Sequence, residues 1–86
     1  MYTLRWLASK LDALADLYVT LSVEDRARLA SAVEALNARL RSNPNDEGES
    51  RANGFRITFI PFLSVAFRIN EGKRTVDVTS ILRFGS

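Results

Sequence analysis

Phe55 to Arg83 reads FRITFIPFLSVAFRINEGKRTVDVTSILR, and apolar and polar residues alternate through it on either side of Asn70-Glu71-Gly72-Lys73. A period of two marks strands with one buried and one wet face. Phe55, Ile57 and Phe59 share one face of the first run, and Arg56, Thr58 and Ile60 share the other. Pro61 cannot donate to a ladder, so it marks a strand boundary or an edge bulge. In the next run Leu63, Val65, Phe67 and Ile69 point one way, and Ser64, Ala66 and Arg68 the other. If Glu71-Gly72 closes a two-residue hairpin loop, Phe67 pairs with Val76, Val65 with Val78 and Leu63 with Ser80. Arg68 then faces Thr75, Ala66 faces Asp77, and Arg83 falls on the polar side. A slip of one residue would exchange the faces.

Upstream, Asn45 to Gly54 is polar and carries Gly48 and Gly54, so it reads as a mobile loop. Before it, Leu29, Val33, Leu36 and Leu40 lie four, three and four apart, the stripe of an amphipathic helix. Ser22-Val23-Glu24-Asp25 is its N-terminal signature: the Ser22 hydroxyl can accept from the Asp25 amide, and the two acids suit the positive end of the helix dipole. Ser42-Asn43-Pro44 stops it. A first helix runs from about Ala8, with Leu7, Leu11, Leu14, Tyr18 and Leu21 on one stripe. Tyr2 to Trp6 alternates as a short strand. The expected fold class is α+β and two-layered, in the order β-α-α-β-β-β. An N-terminal strand joins an antiparallel sheet, and an αα-hairpin packs on one face of it. The expected core is Leu4, Leu7, Leu11, Leu14, Tyr18, Leu29, Val33, Leu36, Leu40, Phe55, Ile57, Phe59, Leu63, Val65, Phe67, Val76 and Val78. Trp6 reads as core or as part of a docking surface.

Composition narrows the chemistry. The 86 residues are expected to form a single domain over 1–86, able to bury one core but not an enclosed multi-residue cavity by default. There is no cysteine and no histidine. That excludes disulfides, thiol nucleophiles, imidazole-bearing zinc sites and His-dependent triads, so catalysis would fall to Arg, Lys, Tyr or a carboxylate. No metal or other cofactor is expected. No run is apolar enough to span a bilayer, and the N-terminus lacks the order of a signal peptide, so a cytoplasmic protein with no membrane partner is expected. Residues 1–49 hold six basic and eight acidic side chains; residues 50–86 hold six and two. Ten of the twelve bases are arginine, whose fork suits phosphate and carboxylate. An open, arginine-bearing sheet face would thus receive phosphates or an acidic peptide.

Five segments follow one another along the chain: Tyr2-Thr3-Leu4-Arg5-Trp6 before a helix with Leu11, Leu14 and Leu17; Leu36 through Asn43-Pro44; Gly54-Phe55-Arg56-Ile57; Val65 to Glu71 followed by Thr75-Val76-Asp77-Val78; and Ile81-Leu82-Arg83. In that order they resemble the RelE/ParE superfamily of toxins, often labelled plasmid-stabilisation proteins. The resemblance implies the toxin component of a type II toxin-antitoxin system. Such a toxin inhibits translation by ribosome-dependent mRNA cleavage, or inhibits DNA gyrase, and is neutralised by a cognate antitoxin tail wrapped over it. It implies no cofactor. Carried over by position, Arg56 and Arg83 would be the catalytic pair, acting electrostatically on a phosphate. Arg51, Ser64, Arg68, Lys73 and Arg74 would contact nucleic acid or antitoxin. Ser64 stands where nuclease members commonly have an arginine, and no tyrosine or histidine follows Arg83. Enzymatic activity therefore stays open between endoribonuclease and none. The competing reading is a catalytically decayed member serving as a peptide- or nucleic-acid-binding module. A homodimer is also left open.

Overall fold

The computed structural model describes residues 1–84. Strand β1 (Thr3–Trp6) leads into helices α1 (Ala8–Thr20) and α2 (Val23–Ser42). Strands β2 (Glu49–Ser50), β3 (Phe55–Ile60), β4 (Leu63–Asn70) and β5 (Thr75–Arg83) follow. They form one five-stranded sheet in the order β1-β5-β4-β3-β2. The α+β class stands as expected, and so does the element order apart from the added two-residue strand β2. β1 joins parallel to β5 while the other pairs are antiparallel, so the sheet is mixed. A parallel pair needs a long connection, and here the chain between β1 and β5 runs through both helices to the far edge at β2 and returns through β3 and β4.

The Ser22 hydroxyl caps α2 by accepting from the Asp25 amide at 3.1 Å, as its signature indicates. The helices cover one face of the sheet, and Leu29, Leu36, Leu40, Val65, Phe67, Val76 and Val78 are fully buried between the layers. Leu7 and Leu11, expected in this core, are half exposed at 49% each. Leu14 and Leu21 of the expected stripe are buried and Leu17 joins them, so the buried face of α1 is turned toward Leu17 and away from Leu7 and Leu11. Trp6 is half-buried, and its indole N–H donates to Asn37 Oδ1 at 3.0 Å.

Three local features depart from the sequence reading. First, β3 presents its other face: Arg56, Thr58 and Ile60 face the helices, and Phe55, Ile57 and Phe59 face away from them. The β3–β4 connection is the two residues Pro61-Phe62, with Phe62 at φ +72°, so Ile60 pairs with Leu63 and must share its face. Proline followed by a left-handed residue is the sequence of a type II turn, which here sets the parity of the whole strand. Second, the β4–β5 loop is four residues, Glu71 to Arg74, and moves the register by two. Ile69 pairs with Val76, and Phe67 with Val78. Arg74 takes φ +54°, and the Lys73 amide donates to Asn70 Oδ1 at 3.0 Å. A shift of two preserves the faces. Third, the register breaks between Ala66 and Phe67, whose β5 partners are Ser80 and Val78, leaving Thr79 as an extra bulged residue. Beyond it Val65 pairs with Ile81 and Leu63 with Arg83. The bulge therefore moves Arg83 from the expected polar face to the helix side.

The segment from Asn45 to Gly54, expected as a mobile loop, contains the end of a 3₁₀ turn that begins at Pro44, then β2, and then a tight turn at Ala52–Gly54 with Asn53 at φ +62°. It is also tied down by the polar contacts described next.

Candidate functional site

Arg56 and Arg83 do not converge. Both lie on the helix side of the sheet, at opposite corners. Their register positions are separated by four residues along the strands and two strand spacings, about 13 Å and about 10 Å, with the buried core between them. The Arg56 guanidinium is used internally: Nε donates to the Glu47 carbonyl at 2.7 Å and Nη2 to the Gly48 carbonyl at 3.0 Å. It straps the 44–50 segment onto β3. Beside it the Glu47 carboxylate, 13% exposed, accepts from Arg39 Nε at 2.7 Å and from Thr58 Oγ1 at 2.6 Å. The Arg39 hydrogen bond, above all, holds this carboxyl below its ordinary range. Thr58 thus occupies a core position on β3 because Glu47 satisfies its hydroxyl.

The other candidates are dispersed. Arg68 lies on the open face, its Nε donating to the Asn53 carbonyl at 3.2 Å and its guanidinium over the Phe55 ring at 5.5 Å. Ser64 is on the same face, opposite Leu82. Arg51 bonds its own segment through the Ser50 carbonyl and Glu49. Lys73 and Arg74 are at the β4–β5 turn, with the Arg74 guanidinium 4.5 Å from the centre of the Tyr2 ring. Tyr2 in turn donates to Glu71 at 2.8 Å, which fastens β1 to that turn.

What the open face does assemble is a patch that is charged at one end and apolar at the other. At one end Arg5 grips Asp77 through two hydrogen bonds of 2.7 and 3.1 Å, and Arg68 lies one strand over. The hydrogen bond to Asp77 raises the Arg5 pKa further. Asp77 is therefore an ion-pair partner, and its basic partner is Arg5 of β1. At the other end Phe59 is 63% and Leu82 68% exposed, and Phe84 stands edge-on to Phe59 with ring centroids 5.8 Å apart. Ile57 and Ala66 connect the two ends. Apolar groups clustered on a surface beside arginines are the usual make-up of a protein-binding face. Sequence reasoning missed Arg5, Phe59, Leu82 and Phe84. The signal for Phe59 was present, in the two-residue turn that fixes Ile60 opposite Leu63. No described helix is long and apolar enough to cross a membrane.

No family model matches the chain, and no curated protein matches it. Among solved structures it is similar to a chain of the chromosomal ParDE TA system from P. aeruginosa, with 25% sequence identity and a TM-score of 0.69. The match covers 99% of this chain and 98% of that one. This likeness over the full length bears out the resemblance to the RelE/ParE superfamily of toxins.

Proposed function

We propose that this RelE/ParE-like chain is the toxin of a type II toxin-antitoxin pair, held inactive by a cognate antitoxin and acting in the cytoplasm on DNA gyrase. The observation that carries the proposal is the end-to-end structural likeness to a chain of a ParDE system, with neither molecule leaving a substantial part unmatched. The choice of gyrase over ribosome-bound mRNA is supported by the separation of Arg56 from Arg83 and by the engagement of Arg56 with two main-chain carbonyls. A phosphate-directed nuclease without histidine needs convergent cations and a proton carrier. The open face supports the antitoxin half of the proposal: its Phe59-Leu82-Phe84 patch, with Arg68 at the opposite end, suits a segment that is apolar at one end and acidic at the other.

Regulated expression in a bacterial host tests it. The expected outcome is growth arrest, relieved when the product of the adjacent short reading frame is co-expressed. Purified toxin is then expected to inhibit supercoiling by gyrase and to leave ribosome-bound mRNA intact. Cleaved mRNA with gyrase unaffected would transfer the chain to the nuclease branch. Soluble protein without any arrest would end the toxin reading.

A further inference from the structure

The β5 bulge creates an arrangement that strand alternation would not give. Without Thr79 as an extra residue, Leu82 would face the helices and Arg83 the solvent. Instead Leu82 is left on the open face and Arg83 is delivered to the helix side. There a cleft of about 270 Å³ opens between α1 and the end of the sheet. Its walls are apolar at Leu17, Leu63 and Ile81, and Asp16 and Arg83 also line it. Bulges of this kind re-aim side chains beside functional sites, and a local rule broken without structural gain marks such a site. The four strand arginines differ in one respect. Arg5, Arg56 and Arg68 each have an internal acceptor, whereas Arg83 has no hydrogen-bond or ion partner among the described residues.

We propose that this cleft receives an apolar-acidic peptide segment, its apolar side chain resting on Leu17, Leu63 and Ile81 and its carboxylate on Arg83. The lining disfavours a nucleic acid, whose phosphates would meet Asp16 and gain nothing from the apolar edges of Leu17, Leu63 and the part-exposed Ile81. The two rim charges set the direction of the peptide, with the carboxylate toward Arg83 and away from Asp16. Leu82 and Arg83 are consecutive and open onto opposite faces, so one extended segment bending around this end of β5 reaches both the open-face patch and the cleft. Naming the antitoxin as the carrier of that segment rests on the toxin reading above; the chemistry of the cleft does not.

The test is an amide chemical-shift titration of the full-length chain with two blocked hexapeptides, acetyl-Ala-Ala-Leu-Glu-Ala-Ala-amide and its Gln counterpart. The Glu peptide is expected to shift the amides of Leu17, Leu63, Ile81 and Arg83 and to bind about three- to fivefold more tightly than the Gln peptide. Arg83→Gln is expected to abolish that difference. Asp16→Asn, at an exposed helix position, is expected to strengthen binding of the Glu peptide and supplies a second readout if the Arg83 variant folds poorly. Equal affinities in the unmodified chain, shifts confined to other residues, or no shifts at millimolar peptide would each overturn the proposal. Cleft shifts that grow with protein concentration before any peptide is added would assign the cleft to a second copy and overturn it equally. Growth arrest without cleft shifts defeats the cleft alone; cleft shifts in a chain that never arrests growth defeat the toxin reading alone.

Discussion

Glu47 and Gly48 lock one corner of the molecule. Glu47 accepts from Arg39 and Thr58 through its carboxylate, while its own carbonyl and that of Gly48 accept from Arg56. Its carboxyl is depressed below the usual range, chiefly by the Arg39 hydrogen bond. The stabilisation is therefore complete above the unfolded-state value, about 4.3, and is lost as pH falls through the lower folded value. Urea midpoints are expected to hold above about pH 5 and to fall below about pH 4, with a shallower acid slope in Glu47→Gln. At neutral pH that variant is expected to lose about 1–2 kcal/mol, since it leaves Arg39 without its charged partner. Gly48 has φ +67°, and a Cβ there would run into the main-chain carbonyl of Ile57. Backbone strain and a clash with an immovable group act together. Gly48→Ala is expected to cost about 2 kcal/mol or more by urea denaturation, with the loss concentrated in the strap between α2 and β3.

Strand β3 decides which aromatic residues hold the fold and which are offered to a partner. Phe67 is fully buried, so Phe67→Ala is expected to cost about 3–5 kcal/mol. Phe59, on the open face, is expected to tolerate Phe59→Ser at under about 1 kcal/mol while antitoxin binding weakens. Equal destabilisation by the two substitutions in a urea series would mean that Phe59 is core after all. Much of this level was legible in the sequence. The helical stripe of α2, the Ser22 cap and the inward face of β4 all follow from spacing, because each is set within a few residues. The face of β3 could not be read from alternation, since FRITFI is apolar on both sides; only the Pro61-Phe62 turn ties it to β4. The bulge at Thr79 was illegible because both registers place β-prone residues in the ladder. Since Arg83 lies beyond that bulge, and Phe59 and Leu82 take their faces from a turn and a bulge, the candidate site was the least legible part of the molecule.

At the scale of the whole molecule, the first strand completes the sheet last in sequence terms: Arg5 meets Asp77 across 72 residues. The order of elements was readable because each reports its own local period, whereas the parallel seam between β1 and β5 depends on the two ends of the chain meeting. That seam is reinforced from three directions. The Tyr2 amide donates to the Arg41 carbonyl at 2.8 Å, Trp6 bonds Asn37, and the Thr3 amide reaches the Arg74 carbonyl at 2.9 Å. Loop-closure entropy must be met before any of these contacts can form, so they are expected to form late in folding. Leu4→Ala, which thins the β1–β5 seam, is expected to act mainly by speeding unfolding, with a φ-value below about 0.3. Val65→Ala, in the local β3–β4–β5 meander, is expected to slow folding, with a φ-value above about 0.5. Stopped-flow chevrons on the two variants read both limbs directly. If Leu4→Ala slowed folding as strongly as Val65→Ala did, the β1 seam would belong to the folding nucleus, and the meander could not be the part that organises first.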